Sequence, residues 1–230
     1  MKKITIDYIK NLKNAKTPFV SLTAYDYISA QILDQANIPL ILVGDSASMM
    51  IYGYDTTIPI TMDEMLLLVK AVSRGANNAL VVADMPFLSY QPSSEETIKN
   101  AGRFIKEGGA GAVKLEGGIH VFDNIKSLVD NGIPVLGHVG LTPQSYHQLS
   151  GYKIQGKSSQ GAAKIIEDSI AVQEAGAFGI VLECIPEALA TKITKKLDIP
   201  TIGIGSGTTC DGQIQVLHDI LGLHKNDAPK

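Results

Sequence analysis

Carboxylate side chains follow several short apolar runs in this 230-residue sequence, at the point where each run ends. Asp45, Asp84 and Glu116 each follow a different run. Their oxygens are hard donors of the kind that Mg²⁺ prefers, because this cation keeps some of its waters and binds few protein ligands. Zinc would instead favour His and Cys ligands, which stand at few of these positions. The three carboxylates therefore predict a Mg²⁺ site.

A cation at such a site could chelate a 2-oxo acid through its carboxylate and keto oxygens and stabilise an enolate. Glu183 follows a further run and is not needed for the metal, so we expect it to act as the base. Lys114 lies two residues before Glu116, on the same strand face, where it could bind the substrate carboxylate or form a salt bridge with a neighbouring carboxylate. His138 could orient substrate or relay a proton, or it could be a hydrogen-bonded structural histidine.

The elements that would position these residues are eight short apolar runs that alternate with helix-length amphipathic segments. This alternation is typical of βα units around a parallel sheet, and eight units favour an α/β fold of the (β/α)₈ barrel type. We expect one domain over residues 1–230. The predicted strands are residues 20–24, 40–43, 80–83, 112–115, 135–137, 179–182, 201–204 and 214–217.

Two of these runs repeat one pattern, Gly-Ala-x-x-Val/Ile-x-Leu-Glu, which ends at Glu116 in one copy and at Glu183 in the other. In parallel strands of similar register the two carboxylates should emerge at the same end of the barrel. Barrel enzymes keep their chemistry at the carboxyl ends of the strands. The repeat therefore predicts that both residues belong to one site.

Helix signals complete the expected architecture. Thr61 and Glu64 have the spacing of a capping box. The segment 4–13 has helical character and precedes the first strand, so we expect it to cap the amino end of the barrel. About ten residues follow the last predicted strand, so we expect the final helix to be incomplete. The other predicted helices are residues 27–35, 62–73, 95–106, 121–129, 159–174 and 187–196.

Composition excludes several classes of protein. Lys and Arg number 20 against 23 Asp and Glu, and Arg74 and Arg103 are the arginines, so a basic nucleic-acid-binding surface is not expected. No apolar run approaches the roughly 20 residues of a membrane helix, and the first residues lack the apolar core of a signal peptide. Two cysteines are too few for a disulfide framework. We expect a soluble cytoplasmic protein without nucleic-acid or membrane partners.

The sequence resembles the ketopantoate hydroxymethyltransferase family in motifs that follow one another along nearly the whole chain. The matching motifs include Val43-Gly44-Asp45-Ser46, Ala83-Asp84-Met85-Pro86-Phe87, Val113-Lys114-Leu115-Glu116-Gly117, Gly137-His138-Val139-Gly140-Leu141-Thr142-Pro143-Gln144, Gly151-Tyr152-Lys153-Ile154-Gln155-Gly156-Lys157 and Leu182-Glu183. So many motifs in the same order make the resemblance highly specific.

This resemblance implies transfer of a one-carbon unit from 5,10-methylenetetrahydrofolate to C3 of 3-methyl-2-oxobutanoate, giving 2-dehydropantoate and tetrahydrofolate in pantothenate biosynthesis. It implies a TIM barrel of the phosphoenolpyruvate/pyruvate type and a homo-oligomer, commonly a decamer. It further implies that Glu183 accepts the proton and that Mg²⁺ is held by Asp45, Asp84 and Glu116. The residues implied to contact the keto acid are Asp45, Ser46, Asp84 and Lys114.

Two other functions stay open. The first is a Mg²⁺-dependent lyase or mutase of the isocitrate lyase kind, but such enzymes generally use a nucleophile such as cysteine on a lid. The predicted lid, residues 141–158, contains no Cys. The second is an inactive barrel that binds a keto acid or serves as a structural subunit. The intact set of charged residues argues against it, namely Asp45, Asp84, Lys114, Glu116 and Glu183.

Overall fold

Eight parallel strands close into a barrel in the computed structural model, which describes residues 3–223. Each strand pairs with the next one along the chain, and β1 pairs with β8 to close the barrel. The strands are β1 (Phe19–Thr23), β2 (Leu40–Val43), β3 (Leu80–Asp84), β4 (Ala112–Glu116), β5 (Val135–Gly140), β6 (Gly179–Glu183), β7 (Thr201–Ile204) and β8 (Gly212–Gln215). The (β/α)₈ barrel expected from the sequence is confirmed.

Helices surround the barrel, and the six helices predicted between strands are all present. Thr61 and Glu64 form the expected capping box, in which the Thr61 hydroxyl accepts from the Glu64 N–H while the Thr61 N–H donates to the Glu64 carboxylate. The helices are α1 (Ile6–Asn14), α2 (Tyr27–Gln35), α3 (Ala47–Met50), α4 (Met62–Gly75), α5 (Ser94–Lys106), α6 (Phe122–Asp130), α7 (Tyr146–Leu149), α8 (Ser159–Glu174), α9 (Glu187–Lys196) and α10 (Leu217–Ile220).

Strand residues alternate between two apolar cores. Leu40 and Leu80 point into the barrel, whereas their neighbours Ile41 and Val81 point outward and pack against the helices. This alternation follows from the two-residue period of a β-strand, which sends successive side chains to opposite faces. The barrel interior is therefore a core of its own, and the polar residues of the carboxyl end are built on top of it.

Helix α1 closes the amino end of the barrel, as the sequence predicts. Ile9 is fully buried in the interior core together with Phe19 and Phe178. At the edge of the same end, the Lys13 ammonium lies 2.8 Å from a carboxylate oxygen of Asp211. The helix therefore acts as an apolar plug with one ion pair beside it.

The end of the described chain differs in detail from the prediction. Strand β8 begins and ends two residues earlier than the predicted 214–217, because Leu217 starts α10 and donates its N–H to the Thr23 hydroxyl at 3.1 Å. The helix after β8 has four residues, so the final helix is short within residues 3–223. Residues 224–230, which the sequence analysis also placed after the last strand, lie outside the described part. Among the described residues, no helix is long and apolar enough to cross a bilayer.

Candidate active site at the carboxyl ends of the strands

A cavity of about 110 Å³ opens at the carboxyl end of the barrel. Leu42, Val181 and Ile214, which belong to the interior core, line its floor. Every residue for which the sequence suggested a role also lines this cavity. Those residues are Asp45, Ser46, Asp84, Lys114, Glu116, His138 and Glu183.

Strand β4 supplies two of these charged groups through its alternation. Val113 and Leu115 face outward into the core between barrel and helices, so Lys114 and Glu116 face inward. Both inward side chains are buried. Ala112, at the start of the strand, lies in the apolar interior. One strand therefore runs from the apolar core to the polar mouth of the barrel.

Lys114 forms a buried ion pair with Asp84. The other oxygen of the Asp84 carboxylate accepts a hydrogen bond of 3.0 Å from the Asp45 N–H. Burial acts to lower the pKa of Lys114, but the charges of Asp84, Glu116 and Asp45 outweigh it and raise the pKa above its ordinary value. Lys114 is therefore a cation inside the site, and the salt bridge that the sequence left as an alternative is present.

The pKa values of the remaining two predicted metal ligands are shifted in opposite directions. Burial, followed by the charges of Asp84 and Glu116, holds the pKa of Asp45 well above its usual range. Burial also opposes ionisation of Glu116, but contact with His138 and the charge of Lys114 outweigh it and lower the pKa of Glu116. The carboxylates are thus strongly repelled by one another, and a bound cation would relieve that repulsion.

His138 lies between two carboxylates. Its Nδ1 is 3.5 Å from Glu116 Oε1, and its Nε2 is 3.2 Å from Glu183 Oε2, although neither contact has the geometry of a hydrogen bond. Burial and the Lys114 charge act to lower the pKa of His138, but the two carboxylates outweigh them and raise it to about 9. The charges of Glu116 and Glu183 thus favour the protonated form of the His138 ring.

The backbone around Glu183 is closely packed. The Leu141 N–H donates to the Glu183 carbonyl at 2.8 Å. Gly140 has a φ of +99°, and a Cβ at this position would lie 2.3 Å from the same carbonyl oxygen. Only glycine permits this approach, because it tolerates positive φ and has no side chain. The end of β5 thus fixes the residue expected to act as the base.

Ser46 has a partner that the sequence analysis did not assign to the site. Its hydroxyl shares a hydrogen bond of 2.7 Å with the Tyr25 hydroxyl. Burial raises the pKa of Tyr25 to about 12, although the bond to Ser46 partly offsets this effect. Tyr25 therefore stays a neutral phenol that can orient Ser46.

Gln144 is the main residue of the site that sequence reasoning missed. Its side-chain amide donates to Asp45 Oδ2 and to the Met85 carbonyl, both at 2.9 Å, and its backbone N–H donates to Glu116 Oε2 at 3.0 Å. Its amide oxygen lies 2.8 Å from the Tyr90 hydroxyl. One residue thus holds two of the three carboxylates. Gln144 is the last residue of a motif that the sequence shares with the family it resembles, and this position could have indicated a role in the site.

The carboxylate set fits a hard cation in type but is not arranged as a chelate. Glu116 Oε1 is buried and has no hydrogen-bond partner, as expected of an oxygen that awaits a cation. Asp84 is instead paired with Lys114. Within residues 3–223, no three His, Cys, Asp or Glu side chains form a ready-made metal cluster. The structure therefore brings the predicted ligands to one cavity without closing them around a point.

The predicted lid, residues 141–158, borders the cavity, to whose lining it contributes Pro143. It begins at the end of β5, passes through Gln144 and α7, and contacts α3 where the Tyr152 hydroxyl lies 3.7 Å from Met49 Sδ. The Gln155 N–H then donates to the Cys184 carbonyl at 2.8 Å, next to Glu183. The segment is therefore held at both ends by the Glu183-Cys184 strand end. Its opening and closing stay a prediction.

Solved structures share this fold. Phosphonopyruvate hydrolase, in complex with oxalate and Mg²⁺, superposes with a TM-score of 0.72 over 96% of this chain and 83% of that protein, at 12% identity. A 2,3-dimethylmalate lyase, a member of the PEP mutase/isocitrate lyase superfamily, superposes with a TM-score of 0.69 over 96% and 81%, at 16% identity. At these identities the likeness establishes the fold, which is the barrel type expected.

Sequence relatives are much closer. A protein named 3-methyl-2-oxobutanoate hydroxymethyltransferase from Dehalococcoides mccartyi (strain CBDB1) is 56% identical over 228 residues, 99% of this chain and 82% of the relative. One of the same name from Carboxydothermus hydrogenoformans is 54% identical over 230 residues, 100% of this chain and 83% of the relative. The family model for ketopantoate hydroxymethyltransferase matches residues 3–230. The chain therefore belongs to the ketopantoate hydroxymethyltransferase family.

Proposed function

We propose that this protein transfers a hydroxymethyl group to C3 of 3-methyl-2-oxobutanoate and forms 2-dehydropantoate. Relatives whose names describe this reaction match nearly the full chain, and this similarity supports the proposal. The donor would be 5,10-methylenetetrahydrofolate, whose carbon joins C3 while water supplies the hydroxyl oxygen. The observation that carries the proposal is the single cavity lined by Glu183, Lys114 and the three carboxylates.

Asp45, Asp84 and Glu116 would hold a divalent cation, for which we propose Mg²⁺. When bound, the cation would withdraw electrons from the keto oxygen and make the C3 proton more acidic. Glu116 Oε1, which is buried without a hydrogen bond, supports this assignment, as does the mutual repulsion of the carboxylates. In phosphonopyruvate hydrolase, a protein of the same fold, Mg²⁺ occurs with oxalate, which is itself a small chelating diacid.

The other residues would bind the keto acid and move its proton. Lys114, as a buried cation, can pair with the substrate carboxylate, and the Ser46 hydroxyl can donate to it. Glu183 has a side chain that is 18% exposed, so it can reach a substrate in the cavity, and it would take the C3 proton. His138 Nε2 lies 3.2 Å from this carboxylate and can orient it.

The test follows exchange of the C3 proton of 3-methyl-2-oxobutanoate in D₂O by NMR, with and without Mg²⁺ and without folate. We expect Mg²⁺-dependent exchange in the wild type and a loss of about 10²-fold or more in Glu183→Gln, because the amide cannot accept the proton. Glu174→Gln, an exposed glutamate at the end of α8, is the matched control. Exchange at the wild-type rate in Glu183→Gln would remove Glu183 from the role of base.

The lyase or mutase alternative has the support of the shared fold alone. Assay of C–C cleavage with isocitrate and 2-methylisocitrate distinguishes the two reactions. We expect no turnover of either compound. Cleavage without hydroxymethyl transfer would reverse the order of the two proposals.

We also propose a homo-oligomer, with the decamer implied by the family resemblance as the expected size. Ile28 and Ile32 on α2 are each 59% exposed, and such side chains favour burial against another subunit. Light scattering on the purified protein gives the mass directly. The cytoplasmic location stays a prediction from the sequence.

A further inference from the structure

A partly exposed aromatic surface lies beside the elements that carry the cavity residues. It consists of Met49, Tyr146 and Tyr152, which we call the tyrosine rim. The Tyr152 hydroxyl contacts Met49 Sδ at 3.7 Å, and the rings of Tyr152 and Tyr146 meet edge to face with centroids 5.2 Å apart. Tyr152 is nevertheless 45% exposed. The contacts hold the ring in place while part of its surface stays open to a ligand.

The tyrosine rim adjoins the reacting groups. Met49 lies in α3, which begins directly after Ser46, and Tyr146 begins α7 two residues after Gln144. Three residues after Tyr152, the Gln155 N–H donates to the Cys184 carbonyl at 2.8 Å, directly beside Glu183. A molecule stacked on Tyr152 would therefore have one edge at the cavity mouth.

The size of the cavity decides which substrate lies inside it. Its volume of about 110 Å³ is well below the roughly 300–1,000 Å³ of pockets that enclose drug-sized ligands. A five-carbon keto acid is the smaller substrate, and a folate carries a bicyclic ring, a benzoyl ring and a glutamate tail. The keto acid thus belongs inside, and the folate must approach from the mouth.

Two lysines follow Tyr152 along the chain. Lys153 directly follows Tyr152, and Lys157 lies four residues further along the same loop. Both are exposed, and within residues 3–223 neither ammonium forms a salt bridge. An aromatic surface next to unpaired positive charge matches a ligand that has planar rings at one end and carboxylates at the other.

We propose that the tyrosine rim stacks against the ring system of the reduced folate donor and that Lys153 and Lys157 bind its glutamate carboxylates. This inference rests on the proposed function, since it concerns the second substrate of the same site. It places the one-carbon unit between the rim and C3 of the keto acid.

The first test compares KM values for 5,10-methylenetetrahydrofolate and for 3-methyl-2-oxobutanoate. We expect Tyr152→Ala to raise the KM for the folate about tenfold, the order of loss seen when an aromatic stacking partner is removed, and to affect the KM for the keto acid much less. Tyr152→Phe keeps the ring and should restore the folate KM. Tyr8→Ala is the matched control, because Tyr8 is 48% exposed on α1 at the opposite end of the barrel.

The second test uses the lysines, whose exposed side chains can be changed without disturbing the core. The double variant Lys153→Ala/Lys157→Ala should lose affinity for the triglutamate form of tetrahydrofolate, measured by calorimetry, more than for the monoglutamate form. Added salt should weaken triglutamate binding to the wild type more than to the variant, because screening acts on exposed charges.

The outcomes separate this inference from the proposed function. Absence of C3-proton exchange and of transfer in the wild type would overturn the proposed function. A wild type that turns over, together with an unchanged folate KM in Tyr152→Ala, would overturn the assignment of the tyrosine rim alone. Equal loss of mono- and triglutamate affinity in the lysine variant would overturn the assignment of the lysines. If Tyr152→Ala does not fold, Tyr146→Ala gives the same comparison.

Discussion

The two ends of the barrel each contain a lysine–aspartate pair, but the two pairs have different surroundings. At the amino end, the Asp211 carboxylate that meets Lys13 also accepts hydrogen bonds from the N–H and hydroxyl of Thr201, at 2.8 and 3.0 Å. At the carboxyl end, the Lys114–Asp84 pair is more deeply buried and lies beside two further carboxylates. The first pair is structural, whereas the second is part of a site with excess negative charge.

Buried ionisable groups without hydrogen bonds distinguish the carboxyl end, although the buried hydroxyls of Ser21 and Ser73, which do not line the cavity, also lack a hydrogen bond. Glu116 Oε1 and both ring nitrogens of His138 are buried without hydrogen bonds at the carboxyl end. The amino end is instead filled by Ile9 and the aromatic rings around it. A buried ionisable group without a hydrogen bond costs more free energy than a hydroxyl does, so the retention of Glu116 and His138 at the carboxyl end points to ligands that satisfy them. One end of the barrel thus stabilises the fold and the other is organised for chemistry.

The largest expected effect comes from Asp84→Asn at the carboxyl end. Loss of an outer-shell partner of a metal typically costs 10- to 100-fold, so loss of a proposed ligand that also holds Lys114 should lower kcat/KM about 10³-fold, or about 4 kcal/mol. Titration of the exchange activity with Mg²⁺ should show weaker metal and keto-acid binding together. Asp123→Asn, an exposed aspartate on α6, is the control. Normal Mg²⁺-dependent activity in Asp84→Asn would contradict the proposed metal site.

The opposite pattern is expected from Ile9→Ala at the amino end. Ile9 is fully buried, and truncation of such a side chain should lower the free energy of unfolding by about 3 kcal/mol. Urea unfolding measures this loss, and kcat/KM of the folded protein should stay near the wild-type value. Leu67→Ala, on the exposed face of α4, should change stability by about 0.5 kcal/mol or less. A large loss of activity in folded Ile9→Ala would show that the two ends are coupled.

A smaller effect on activity is expected from Gln144→Ala. The variant removes the amide that donates to Asp45 and Met85 but keeps the backbone bond to Glu116, so kcat should fall about tenfold, or about 1.4 kcal/mol. If Gln144 positions Asp45, the Mg²⁺ concentration required for half-maximal exchange should rise as well. Gln148→Ala, exposed on α7, is the control. A change in melting temperature with unaltered kcat and Mg²⁺ dependence would make Gln144 purely structural.

The sequence predicts most of the fold because its signals are local. Strand alternation, the Thr61 capping box and the residues at strand ends are all visible within a few positions. The bonds of Gln144 to Asp45 and of Tyr25 to Ser46 join residues 99 and 21 positions apart. Such pairings depend on the assembled barrel, and an amide or phenol gives no sign in the sequence of which carboxylate or hydroxyl it will meet. For the same reason, the sequence left open whether Lys114 would bind the substrate or form a salt bridge with a carboxylate such as Asp84.

The smallest expected effect is at the structural ion pair of the amino end. Lys13→Met keeps the alkyl chain but removes the ammonium, and Asp211 keeps its bonds from Thr201 and some exposure to water. The loss in free energy of unfolding should therefore be about 1 kcal/mol, typical of a partly exposed charged contact. Urea unfolding at low and high salt gives the value, with Lys10→Met on the exposed side of α1 as the control. A loss as large as that of Ile9→Ala would mean that the ion pair, rather than the apolar plug, holds α1 on the barrel.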